Sequence, residues 1–219
     1  MGDDRDMSQQ LLLPGIDPPP RPLPRPRSKA QRAEPMPHSL FFALLPGAQD
    51  ASTIAALGER MNFQHALKGT VVEAHRLHVT LFDLGDYAAV PRDKVEQALA
   101  AAATLPPPAF DVVFDEAMSY AKSQALVLYG DDAGVEALMA FRQRLGEALA
   151  DAGFKPKRAF TPHMTLVYAR RKLEKHAIEQ PVRWRAGKLA LIDSHVGQGV
   201  HEVLGQWPAA ALESEATEA

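Results

Sequence analysis

Apolar and polar positions along this chain fall into short runs of strand type and longer stretches of helical spacing. Ser39-Leu40-Phe41-Phe42-Ala43-Leu44-Leu45 is a continuous apolar run of strand length, stopped by Pro46-Gly47, and predicts a buried strand. Residues 50–67 carry Ile54, Leu57 and Met61 at helical spacing, with Asp50 or Ser52 as the expected cap and Lys68-Gly69 closing the helix. An alternating strand follows and ends at Leu84-Gly85-Asp86; Pro91 then opens an alanine-rich helix over 91–103. After the stiff Pro106-Pro107-Pro108 connection, 110–120 and 124–129 predict paired strands around a turn near 121–123. A long helix starts at Asp131 or Asp132 and runs to about Ala152. Val135, Leu138, Met139, Leu145 and Leu149 form its expected buried stripe, with Gly153 past its end. A second alternating strand comes after Phe160-Thr161-Pro162. Two closing strands, about 184–196 and 200–207, turn at Gly197-Gln198-Gly199.

This order reads as two similar halves of an α+β fold. Each half is expected to be a small, mostly antiparallel sheet with helices on its outer face, so that two sheets face a central cleft in a bilobal, duplicated arrangement. The predicted elements occupy 38–210. Residues 1–37 hold nine of the 18 prolines, and Pro18 to Pro26 is nearly all proline and arginine. Such a leader buries too little apolar area to offset its ordering entropy and is expected to be disordered, as is the acidic end, 211–219. Arg21, Arg25, Arg27, Lys29 and Arg32 in the leader could touch phosphates or a partner, although a solvated tail is the simpler reading.

Composition narrows the chemistry. An apolar fraction of 46% argues for a folded core. The chain has no cysteine, which excludes disulfides, thiolate metal ligands and a cysteine nucleophile. No stretch has the length of a membrane-spanning helix or a secretory signal, so a cytoplasmic monomer with no membrane partner is expected. Residues 1–37 account for six of the 24 basic and five of the 27 acidic residues, leaving 18 against 22 from residue 38 on. An acidic folded portion argues against broad duplex binding.

The candidate chemistry lies in the two alternating strands. Arg76-Leu77-His78-Val79-Thr80-Leu81 returns 85 residues later as Thr161-Pro162-His163-Met164-Thr165-Leu166, both reading His-apolar-Thr-Leu. On a strand, i and i+2 share a face, so each copy presents an imidazole and a hydroxyl together and buries its apolar residues behind them. In-line opening of a phosphodiester needs a base for the nucleophile and, on the other side, an acid for the leaving oxygen. Two histidines on opposite walls of one cleft meet that need near neutral pH. Short, stiff threonine hydroxyls suit the non-bridging oxygens. No metal is required. A zinc site built on these histidines lacks an evident third ligand.

The paired motifs resemble the 2H phosphoesterase superfamily, and within it the bacterial 2′-5′ RNA ligase / RNA 2′,3′-cyclic phosphodiesterase branch. The resemblance covers roughly 38–208 and rests on Phe41-Phe42-Ala43-Leu44, Leu77 to Gly85, Phe160 to Leu166 and the closing hairpin. It implies a bilobal duplicated fold, no cofactor, and catalysis by His78, Thr80, His163 and Thr165 on an RNA end or a nucleotide cyclic phosphate. The proline-rich leader departs from the compact bacterial members. Other readings are a hydrolase of a small cyclic phosphate, such as an ADP-ribose cyclic phosphate, and a non-catalytic RNA-binding adaptor.

Arg158, Tyr168 and Phe42 are the candidate substrate-binding residues. Arg158 belongs to a basic run, with Lys155, Lys157, Arg170, Arg171, Lys172 and Lys175 against the single acid Glu174 over 155–175, which would attract phosphate. Tyr168 is placed on the strand face of Thr165, with an ordinary buried tyrosine as the equal alternative. His195 and His201 flank the last turn and read as a cross-strand polar pair rather than metal ligands. His38, His65, His75 and His176 read as solvated.

Overall fold

The computed structural model describes residues 36–120, 122–155 and 160–208. The leader up to residue 35, Arg158 with Lys157, and the acidic end lie outside the described residues.

The described residues make two antiparallel sheets backed by three α-helices, the α+β arrangement expected. In order, the elements are β1 (His38–Leu45), α1 (Ala48–Gln64), β2 (Thr70–Val71), β3 (Val79–Tyr87), α2 (Arg92–Ala102), β4 (Phe110–Tyr120), β5 (Ala125–Tyr129), α3 (Asp132–Asp151), β6 (Met164–Tyr168), β7 (His176–Ala186), β8 (Lys188–His195) and β9 (Val200–Trp207). A four-stranded sheet runs β3-β1-β8-β9, and a five-stranded sheet runs β2-β6-β5-β4-β7.

This topology corrects the picture of two consecutive halves. The final hairpin, β8–β9, returns to pair with β1 at the start of the chain, His38 facing His195 and Leu44 facing Leu189. The short β2 of the first half pairs with β6 of the second. The stretch read as one strand over 184–196 is two strands in different sheets, parted at Gly187: β7 pairs β4, and β8 pairs β1. Alternation could not announce β7, because most of it is an exposed edge with Pro181 inside it.

Helix boundaries follow local chemistry. Helix α1 begins at Ala48, with Gly47 as cap. Ser52 lies within the helix and donates back to the Ala48 carbonyl at 3.0 Å, so neither Ser52 nor Asp50 serves as the expected cap. Asp131 does cap α3, accepting from the Gly134 N–H at 2.7 Å. The buried stripe of α3 is Val135, Leu138, Phe141, Leu145 and Leu149; Phe141 takes the place expected of Met139, which is exposed.

One apolar core joins both sheets to the helices. Phe42, Leu44, Val79, Leu81 and Leu191 come from the four-stranded sheet; Val112, Phe114, Leu126, Leu128 and Trp184 come from the other. The opposite face of each sheet carries its own small apolar cluster: Phe41, Ala43, Ala190 and Ile192 on one, Ala125, Val127 and Tyr129 on the other. Faces used on both sides explain why β1 and β5 read as unbroken apolar runs. No helix among the described residues is long and apolar enough to cross a membrane.

Candidate active site

The two motifs fold alike, down to single hydrogen bonds. His78 and His163 each sit on the residue immediately before a strand, β3 or β6. The Nδ1–H of His78 donates to the Arg76 carbonyl at 2.7 Å, and that of His163 to the Thr161 carbonyl at 2.8 Å, both two residues upstream. A carbonyl only accepts, so this bond puts the neutral ring's proton on Nδ1 and leaves the lone pair on Nε2. His176, entering β7, bonds the Glu174 carbonyl in the same way at 2.9 Å but has Ile178 where the motifs have threonine. The bond alone therefore belongs to a histidine entering a strand; the threonine two residues on distinguishes the motifs.

Each motif also carries a β-bulge at its leucine. In β3, Thr80 faces Ala43 and Phe82 faces Phe42, so Leu81 has no partner of its own. In β6, Thr165 faces Val127 and Val167 faces Leu126, so Leu166 is the extra residue. A bulge takes a carbonyl off the ladder, and buried carbonyls need partners. The Leu81 carbonyl accepts from Arg142 Nε at 3.2 Å, and the Leu166 carbonyl from the Val72 N–H at 2.8 Å. Both leucines, with Val79 and Met164, are buried in the common core, while His78, Thr80, His163 and Thr165 are half-buried.

Each imidazole rests against an aromatic ring of its own sheet. Phe41 stacks on His78 at 5.2 Å and 25°, and Tyr120 meets His163 edge-on at 5.1 Å. A third imidazole, His201 of β9, meets His78 edge-on at 5.2 Å and Phe41 at 5.9 Å. Burial pushes the His78 pKa below its ordinary value of 6.5, against the opposing pull of the Arg76 hydrogen bond; the charges of His163 and Arg76 lower it further. His201 is pushed down to about 4, first by burial and then by the charges of His78, Arg76 and His75. This corner of the site therefore favours neutral imidazoles.

Of the candidate binding residues, Phe42 is placed elsewhere. It is fully buried in the common core against Trp207, because alternation along β1 sends Phe41 to the other face, onto His78. Tyr168 is 48% exposed rather than buried. It lies three residues past Thr165, which strict alternation would put on the opposite face. The Leu166 bulge restores the shared face, with Tyr168 opposite Ala125 and Thr165 opposite Val127. Tyr168 lines a hollow of about 800 Å³ with Lys68, Gly69, Arg170 and Arg171, which contains neither motif histidine.

Among the remaining histidines, His75 is exposed as expected, while His195, His201 and His38 depart from expectation. His195 faces Val200 and His201 faces Ser194, so the two lie on opposite faces of the hairpin rather than paired. His38 is half-buried, and its Nδ1 bonds the carboxylate of Asp193 at 2.7 Å, where a solvated side chain was expected.

Each motif thus sets a half-buried imidazole and a hydroxyl on one face, groups that can move a proton and hold an anion. A family model for the 2′-5′ RNA ligase superfamily matches residues 48–198. The chain belongs to the 2′-5′ RNA ligase superfamily. Among solved structures it is similar to Escherichia coli LigT complexed with 3′-AMP, with 25% identity, a TM-score of 0.62, and coverage of 78% of this chain and 97% of that one. It is similar in fold to a protein described as a phosphoesterase, at 23% identity, TM-score 0.63 and the same coverages. TT0787 of Thermus thermophilus shares the fold at 17% identity and a TM-score of 0.56, over 77% of this chain and 96% of that one. No curated protein matches the sequence.

For this superfamily member, sequence reasoning missed Phe41, Tyr120, His201 and Arg76 as residues around the motifs. Arg76 has a buried Nε without a hydrogen-bond partner and brings its guanidinium to the β8–β9 turn at Gly199. Its place two residues before His78, matching that of Thr161 before His163, was the one available signal. The others depend on strand register.

Proposed function

We propose that this protein is a metal-independent phosphoesterase that opens 2′,3′-cyclic phosphate ends of RNA or nucleotides. Ligation to a 2′-5′ linkage is the same chemistry run with a ribose hydroxyl. The observation that carries the reading is the matched pair of motifs, each with an Nδ1–H bonded to a carbonyl and a threonine on the same face. His78, whose charged form is disfavoured by burial, acts as base. Its Nε2 takes a proton from water as the water oxygen bonds to phosphorus, in line with the leaving ribose oxygen. The P–O bond to that oxygen breaks, and His163 supplies its proton. Thr80 and Thr165 donate to the non-bridging oxygens as charge grows there. Tyr168 with Lys68, Arg170 and Arg171 offers a stacking face and cations to the next nucleotide, which favours an RNA end over a small cyclic phosphate.

The test offers nucleoside 2′,3′-cyclic phosphates, short RNAs with cyclic ends, 2′-5′ dinucleotides and ADP-ribose cyclic phosphate in parallel, with EDTA present. Turnover of the RNA or nucleotide substrates is expected, with short RNAs preferred. Turnover of ADP-ribose cyclic phosphate alone would move the assignment to a small-molecule hydrolase. RNA binding with no turnover of any substrate would make the protein an adaptor.

A further inference from the structure

On the face of the four-stranded sheet opposite Phe41, three strands bring metal-ligating side chains to one point. His38 opens β1 and faces His195 across the ladder to β8. Asp193 lies two residues before His195 on the same face, and Glu202 of β9 faces Asp193. The His38 Nδ1 is 2.7 Å from Asp193 Oδ2, and the His195 Nε2 is 3.4 Å from the same oxygen and 3.6 Å from Glu202 Oε2. One donor atom from each of His38, Asp193 and His195 falls within a sphere of 4.8 Å mutual separation.

Asp193 is the one buried charged residue among those described, 1% exposed. Its Oδ1 has no hydrogen-bond partner, and neither has the buried Nε2 of His195. A carboxylate taken out of water is costly unless its oxygens are paired, and Oδ1 of Asp193 is not. A divalent cation would offset that charge and occupy the open donors at once. Zinc bonds to nitrogen and oxygen at about 2.0–2.2 Å, which separates neighbouring ligands of a tetrahedron by about 3.3–3.6 Å; His195 and Asp193 stand at 3.4 Å, and the 2.7 Å between His38 and Asp193 would open by less than about 1 Å to take an ion. Imidazole and carboxylate donors together suit zinc and its first-row neighbours.

We propose that His38, Asp193 and His195 form a structural site for a divalent transition metal, with Glu202 or water completing it. The ion ties the first residue of β1 to the closing hairpin, where the Pro37 carbonyl also accepts from the Val196 N–H at 2.8 Å. It takes no part in the chemistry of the motif histidines. The proposal stands whether or not the protein hydrolyses cyclic phosphates.

The experiment uses the full chain without a polyhistidine tag, stripped with chelator and titrated with zinc chloride by calorimetry and in thermal melts. One equivalent of zinc is expected to bind and to raise the melting temperature. Cobalt in its place should show the visible absorption of a four-coordinate nitrogen and oxygen site. Losing an outer partner of a ligating histidine costs about 10–100-fold in affinity, so His195→Gln and Asp193→Asn should each weaken binding at least that much. The His78→Ala/His163→Ala double variant should bind zinc as tightly as the native chain. Failure of the native chain to take up one equivalent overturns the proposal without any variant. Uptake unchanged in His195→Gln, or lost in His78→Ala/His163→Ala, overturns it too, the latter placing the ion at the motif histidines.

Discussion

His201 offers a quantitative test of how the site treats charge. Its folded pKa is pushed down to about 4 from 6.5, chiefly by burial beside His78 and Phe41. As pH falls below 6.5 the unfolded chain takes up this proton first, so the folded state loses stability steadily until pH reaches about 4 and loses no more below that. A difference of about 2.5 pH units at about 1.36 kcal/mol each gives an upper limit near 3.4 kcal/mol. His201 is only half-buried, and solvent screening reduces the effect to roughly 1.5 kcal/mol. For a chain of this size that is about 3–6 °C in melting temperature. The perturbation is His201→Gln, which keeps a polar side chain and removes the titration. Melts of both proteins at pH 7 and pH 4, in the same buffer series, give four temperatures. The native chain should lose about 3–6 °C more than the variant between the two pH values, because every other group titrates in both. Parallel losses would refute the claim that this imidazole is held neutral.

His78→Ala and His163→Ala should each lower kcat/KM on a cyclic nucleotide by about 10²–10⁴-fold, and the double variant should lose far less than the product, since the two act as a unit. The rate against pH should be bell-shaped, with its acid limb below pH 6.5, because the base must be neutral and His78 is held below that value. Thr80→Val and Thr165→Val should cost roughly 10–10³-fold in kcat with stability nearly intact, measured by steady-state kinetics beside thermal melts. Phe42→Ala should cost about 3–5 kcal/mol in chemical denaturation, as a fully buried ring leaves a cavity. Phe41→Leu should cost less than about 1.5 kcal/mol yet lower kcat, since Phe41 supports the His78 ring.

The layout of the two motifs was legible early because it is written locally and twice. His-x-Thr-Leu on a strand fixes which side chains travel together, and period-two geometry needs no tertiary information to put His78 beside Thr80 and His163 beside Thr165. Most elements were legible for the same reason: an apolar run, a capping aspartate or a turn at Gly197-Gln198-Gly199 acts within a few residues. What depends on distant pairing was not. Whether Phe41 or Phe42 faces the histidines turns on β1 being apolar on both sides, so its composition carries no direction. The place of Tyr168 rests on the bulge at Leu166, one extra residue that reverses every later face count. The return of β8–β9 to β1 puts His201 against His78 and His38 against Asp193, across more than 100 residues of chain in each case. Periodicity reports how a segment alternates between two faces. Only the assembled sheets decide what each face meets.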